Sequence, residues 1–317
     1  MKLNLPISEM LHGHKNILIA GMGGGYDVFA GLPIYFELIT QGFNVHLANL
    51  SFSDIAGYTD GEQLTDTLVG IDAEVDYDFD YFPEYALAQW FMDEFNELKP
   101  IWCFHKTGAR PLIKNYRKLV DELDIDAIIL VDGGVDSLMR GDEPDPGTIF
   151  EDTIALIAVN ELKHIKTRIV ACVGMGAEFE VGYAHLFENI AALTKANAFL
   201  GACSLTKQME SYRRYEQALM FVFDQQPQFP SRINSAIISA VRGEYGNYHL
   251  LKRTQGNELR ISALMGLYWF FDLRGVTQRN KLVNALSLTY TEPEAFKKMK
   301  AAQAQMANRD TPQYPLW

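Results

Sequence analysis

NILIAGMGGGYDVFAGLPI, residues 16–34, decides the fold. A short apolar run, Asn16 to Ala20, breaks into a glycine loop, Gly21 to Asp27, and from Val28 to Ile39 the apolar residues fall at helical spacing. Strand, loop and helix in that order are the opening unit of a parallel α/β sheet. Gly42 closes the helix, and NVHLANL (Asn44 to Leu50) predicts a second strand. The alternation then repeats. IWCFH (Ile101 to His105), AIILVD (Ala127 to Asp132), RIVACVG (Arg168 to Gly174) and AFLGAC (Ala198 to Cys203) read as strands. Helices are expected from Tyr85 to Leu98, Pro111 to Leu123, Ile149 to Leu162 and Tyr183 to Ala196. Continuous apolar runs such as Ala127 to Val131 are what strands covered on both faces require. Together these runs predict an α/β fold with a doubly wound, mostly parallel, Rossmann-like sheet.

Two stretches interrupt the pattern. The acidic segment 53–80 is read as a surface insertion or lid. Its end, IDAEVDYDFDYFP (Ile71 to Pro83), alternates acidic with apolar residues and fits either a half-exposed edge strand or an acidic loop. Beyond residue 205 the order is less regular. Helices are expected at Lys207 to Phe223, Ser231 to Val241 and Val276 to Leu288, and Thr291 with Glu294 three residues on predicts a capped one. Residues 206–317 are therefore read as an α-rich C-terminal region packed on a core of 1–205, as one continuous unit covering the sheet edge or the site. The aromatic run Tyr268 to Phe271 fits core, or a contact between copies of the chain in a homo-oligomer.

Composition narrows the function classes. The 317 residues suffice to bury a core without disulfide or metal staples. A hydrophobic share of 48% with 21% charged residues excludes global disorder. The balance of 28 Lys+Arg against 40 Asp+Glu gives −12, which argues against sequence-independent nucleic-acid binding, where affinity comes from phosphate neutralisation. The most apolar stretch, Leu264 to Leu273, is about half of what spans a bilayer, so no membrane partner is expected. MKLNLPISEM lacks the apolar run of a secretory signal. Cys103, Cys172 and Cys203 form no close metal-ligand pair and read as free thiols, which fits a cytoplasmic location. A nucleophilic role for Cys203 is the lesser reading.

In an open parallel sheet, ligands bind beyond the carboxyl ends of the strands, near the point where strand order reverses. Here those ends run into GMGGGYD (Gly21 to Asp27), HKTGAR (His105 to Arg110), DGGVDSLMRGDE (Asp132 to Glu143) and GMGAE (Gly174 to Glu178). Gly23, Gly24 and Gly25, with Gly133 and Gly134, let the backbone approach a ligand and present N–H groups to an anion. The helix after Asp27 would add its dipole. A tight turn is the plainer reading of the same glycines. Tyr26 stands where a GxGxxG fingerprint needs its third glycine, and Asn49 where a ribose-binding acid is expected. No Gly-Lys-Ser/Thr of a P-loop is present.

Carboxylates and cations share these loops. Asp27, Asp132, Asp136, Asp142 and Glu143 have three common uses there: holding Mg²⁺, gripping ribose hydroxyls, or acting as a general base. Asp27 and Asp132 are the candidate metal ligands, with Mg²⁺ the expected cofactor. Asp132, Asp136 and His105 are the candidate catalytic groups. Lys106, Arg110 and Arg140 predict an anionic ligand, with Tyr26, Asp27 and Glu178 also facing it. Arg140 has an alternative use, pairing with Asp142 or Glu143.

GMGGGYDVFAGLPI, LVDGGVDSLMRGDEP and VGMGAEFE resemble the prokaryotic domain of unknown function 1152. That family's pattern has a GGGGD-type loop with a following Leu-Pro, then a strand running into Val-Asp and a glycine-aspartate segment, then Gly-Asp-Glu-Pro. These match Gly23 to Asp27 with Leu32 and Pro33, Val131 to Asp136, and Gly141 to Pro144. The resemblance extends from Asn16 to about Cys203. Tyr26 replaces a glycine, and the order of glycines between Asp132 and Asp136 differs. The resemblance implies fold and site position and no reaction.

The residues lead to one expectation: a soluble enzyme that hydrolyses, or transfers a group from, a nucleotide-like or phosphorylated small molecule. The alternatives are a non-catalytic sensor of such a ligand and a divergent nicotinamide-dependent oxidoreductase.

Overall fold

The computed structural model describes residues 6–55, 60–76, 80–178, 180–252, 255–256 and 258–311. Among the described residues nine strands form one sheet: β1 (Asn16–Gly21), β2 (Asn44–Leu50), β3 (Glu62–Thr65), β4 (Leu68–Ile71), β5 (Ile101–Phe104), β6 (Ala127–Asp132), β7 (Thr167–Cys172), β8 (Phe199–Ser204) and β9 (Leu267–Asp272). Their order is β3-β4-β5-β2-β1-β6-β7-β9-β8. The pairs β5–β2, β2–β1, β1–β6 and β6–β7 are parallel, and only β4 and β9 run against the rest. The expected α/β class and mostly parallel sheet are present.

Alternation along the strands divides the core. In β1, Leu18 and Ala20 face one layer while Ile17 and Ile19 face the other; in β6, Ile128 and Leu130 oppose Ala127, Ile129 and Val131. Helices Ala109–Glu122, Ile149–Asn160, Tyr183–Lys195 and Glu292–Gln305 cover the first face. Helices Leu32–Thr40, Pro83–Phe95, Glu210–Gln225 and Arg232–Arg242 cover the second. The chain builds outward from β1 to β2 and β5, then crosses to β6 and β7. The reversal therefore falls between β1 and β6, where Gly21 pairs with Val131. The two loops that leave these ends emerge side by side.

Three expectations change. The C-terminal region does more than cover the sheet: its aromatic run is core, the first of its two readings, in β9, which inserts between β7 and β8 and pairs Ala171 with Phe270 and Ala202 with Trp269. A run alternating Tyr268 and Phe270 with Phe271 supplies both core layers at once. The acidic segment contributes the hairpin β3–β4 to the sheet edge, upstream of the stretch that alternates in sequence. Parts of that segment, 56–59 and 77–79, lie outside the described residues. The helix expected from Val28 to Ile39 is two pieces, Asp27–Ala30 and Leu32–Thr40, joined at Gly31. No helix of the described residues is long and apolar enough to cross a membrane.

Candidate functional site

The glycine loop after β1 is shaped by two residues in the left-handed region, Gly24 at φ +92° and Gly25 at φ +59°, where a side chain is strained. The exposed ring of Phe52 packs on Gly24. Several N–H groups of this loop and of the loop after β6, however, are used inside the chain. Gly23 N donates to Asp27 Oδ2 at 2.6 Å, and Gly133 N donates to Asp27 Oδ1 at 3.2 Å. Gly25 N donates to the Leu50 carbonyl at 3.2 Å. The cradle read as a nest for a ligand's anion thus holds the chain's own carboxylate at Gly23 and Gly133. With only Asp27–Ala30 helical behind it, the dipole contribution is also small. Tyr26 turns into the core, its ring 5.1 Å from Phe29 and 5.8 Å from Phe223.

Around Asp27 the loops collect acids. Asp132, the last residue of β6, accepts Ser137 N at 3.1 Å. Asp136 accepts Thr148 N at 2.8 Å and Thr148 Oγ1 at 2.9 Å. Glu178, after β7, accepts Val135 N at 2.9 Å, and the absence of a side chain at Gly134 leaves room for its carboxylate. Asp152 comes from the first turn of helix Ile149–Asn160. One oxygen each from Asp27, Asp132 and Asp152 lie within 4.8 Å of one another. Burial disfavours charge on all of these groups, and their mutual repulsion adds to it. Asp27 is pushed up to about 7, by burial first and then by Asp136 against the Gly23 hydrogen bond. Asp132, Asp152 and Glu178 lie well above the ordinary carboxylate range, by burial and then by their acidic neighbours. Burial raises Asp136 as well, against its hydrogen bonds from Thr148. Among the described residues no ion pair engages any of the five.

The cations named from sequence are distributed differently. Lys106 Nζ sits 4.1 Å from the centre of the Phe52 ring, at the edge of the glycine loop. With His105 and Glu151 it lines a small cavity, about 20 Å³, that begins at Gly21 and Met22. Burial lowers the His105 pKa, so its imidazole is neutral near pH 7. Arg110 lies exposed on helix Ala109–Glu122 and joins none of the ion pairs of the described residues. Arg140 pairs with Asp142 at 3.3 Å, the alternative use that the sequence allowed. Lys281 reaches the same carboxylate at 2.5 Å. Glu143 accepts the N–H groups of Arg140 and Gly141 and pairs with Arg309 at 2.6 Å. The Gly-Asp-Glu segment is thereby tied down by its own cations.

Two acids were missed. Asp152 stands in a helix that is mostly apolar and buried; the adjacent acids Glu151 and Asp152 at the head of such a stretch were the available signal. Glu84 is fully buried beneath the glycine loop, accepting from Asn49 Nδ2 at 2.8 Å, and Asn49 also donates to the Gly25 carbonyl at 2.7 Å. Asn49 is therefore enclosed in the fold, away from any ribose, and burial raises Glu84 to about 7. Glu84 opens helix Pro83–Phe95, where an acid is common for the helix dipole alone and gives no signal.

Beside the cluster runs an open groove of about 720 Å³ between the 141–151 loop and helix Glu292–Gln305. Thr148 lines it and also holds Asp136, so the groove and the acids share a wall. Phe150 and Phe296 form an aromatic corner there, with centroids 5.7 Å apart.

The sequence profile of the family described as protein of unknown function (DUF1152) matches residues 95–306. The chain belongs to this family. The DUF1152 match contains Asp132, Asp136, Asp152 and Glu178, and begins downstream of the Gly21 to Asp27 loop. No curated protein and no solved structure matches the chain.

Proposed function

We propose that the chain is an enzyme acting on a nucleotide-like or phosphorylated small molecule, by hydrolysis or group transfer, in the crevice between β1 and β6. The observation that carries this reading is the gathering of Asp27, Asp132, Asp136, Asp152 and Glu178 at the switch point, the last four buried and Asp27 half-buried, without a cationic partner among the described residues. Leaving acids buried and unpaired is costly, and perturbed groups of this kind concentrate where chemistry is done. Lys106 at the loop edge and the neutral His105 supply a positive group for the substrate's anionic part and a proton carrier. The groove along Thr148 has room for the rest of the molecule. Asn49 and Tyr26, both enclosed, weigh against a dinucleotide-dependent oxidoreductase. An anionic substrate is compatible with five acids only if a cation stands between them.

The test is a thermal-shift screen against nucleotides, dinucleotides and sugar phosphates, with and without Mg²⁺, followed by turnover assays on whatever binds. A ligand specific for the native state raises the melting temperature by mass action. A shift lost in Lys106→Ala, with turnover lost in Asp136→Asn, supports the proposal. Binding with no turnover under any condition favours the sensor reading, and no shift by any phosphorylated compound rejects the proposal.

A further inference from the structure

The reading above needs a cation, and the residues specify where it goes. We infer that Asp27, Asp132 and Asp152 form a binding site for one divalent cation of the Mg²⁺ or Mn²⁺ class. Three carboxylates alone would not carry this, since acidic clusters occur without ions. Two independent features point to a ligand among them. Asp152 is 2% exposed, yet its Oδ1 has no hydrogen-bond partner among the described residues. An unsatisfied carboxylate oxygen at that depth is expensive unless something positive meets it. The second feature is the convergence of two carboxylates on Gly23. A methyl group built on Gly23 would lie 2.8 Å from Asp27 Oδ2 and 3.0 Å from Asp152 Oδ1. The two oxygens therefore converge on residue 23 so closely that no side chain has room there.

The chemistry of the donors selects the ion. All three are hard oxygen ligands, with no histidine or cysteine in the set, which suits Mg²⁺ or Mn²⁺ over zinc or copper. Six-coordinate ions of this class hold their ligands at about 2.1 Å, so ligand oxygens stand roughly 3–4 Å apart. The three oxygens stand within 4.8 Å of one another, and small side-chain movements would bring them to that spacing. Asp27 is held for the task by the N–H groups of Gly23 and Gly133, and Asp132 by that of Ser137. These contacts orient the ligands as outer partners do in metal sites. Coordination sites not filled by protein remain for water and for a substrate oxygen. This deepens the proposed function, because it supplies the positive charge that an anionic substrate requires there.

Electron paramagnetic resonance of Mn²⁺ titrated into the full chain tests it, since bound ion loses the sharp signal of free Mn²⁺. One Mn²⁺ per chain, displaced by excess Mg²⁺, is expected. Asp152→Asn and Gly23→Ala each weaken binding at least tenfold. Gly23 is outside the left-handed region, so alanine there presses on the Asp27 and Asp152 oxygens without backbone strain. Asp152→Asn also raises the melting temperature in EDTA, because it relieves repulsion that the ion otherwise neutralises; a merely structural aspartate would lower it. Absence of bound Mn²⁺ in the wild type, or wild-type affinity in both variants, overturns the inference. The outcomes separate from those of the functional reading. Bound Mn²⁺ with no phosphorylated ligand leaves the ion and removes the substrate class; nucleotide binding in EDTA with no Mn²⁺ site does the reverse.

Discussion

Asp27 shows how one residue converts a glycine loop from an anion receptor into a support for a carboxylate. Its two oxygens take the N–H groups of Gly23 and Gly133, and burial leaves the acid near pKa 7. A raised folded pKa has a definite consequence for stability. Between the ordinary value of 3.8 and about 7, the folded chain binds more protons at Asp27 than the unfolded chain does. Stability from this group is thus present below about pH 4 and lost as pH rises through about 7. His46 works in the opposite sense, since burial lowers it to about 4 and unfolding lets it charge. The comparison must therefore be made against Asp27→Asn, in EDTA. The variant's advantage in melting temperature should grow from pH 5 to pH 8, reaching a few degrees, and shrink again when Mg²⁺ is added. An advantage independent of pH would mean that Asp27 is charged throughout.

Among the elements, the parallel strands were the most legible and β9 the least. Ala127–Asp132 and Asn44–Leu50 fall at the strands read from their apolar runs, because burial on both faces leaves little choice of residue. Leu267–Asp272 has the same character, but it follows an irregular stretch and runs directly into the helix Leu273–Arg279 with no loop between them to mark another βα unit. Its antiparallel place between β7 and β8 depends on chain return, which local pattern does not encode. The split at Gly31 was hidden for a related reason: Gly31 packs against Ile19 of β1, a tertiary contact. As β9 fills both layers, Phe270→Ala should destabilise the chain by about 3–5 kcal/mol, read from the urea midpoint at unchanged m. A cost under about 1 kcal/mol would show that β9 is a dispensable strand.

For the molecule as a whole, the sequence marked where acids gather better than how they are partnered. Strand ends carrying glycine and charge marked the edge at which Asp27, Asp132, Asp136 and Glu178 come together. What composition could not show is how charge is partitioned. Arg140, Lys281 and Arg309 neutralise Asp142 and Glu143 in one place, while the crevice acids are left with each other. Asp152 completes the set from a helix, outside the loops where ligand residues were sought. The most direct check is crystallographic: grow crystals with Mn²⁺ and collect anomalous diffraction at the manganese edge. A single strong peak about 2.1–2.2 Å from oxygens of Asp27, Asp132 and Asp152 is the expected result. A fully ordered crevice with no peak between these carboxylates, at Mn²⁺ concentrations that saturate binding in solution, would contradict it.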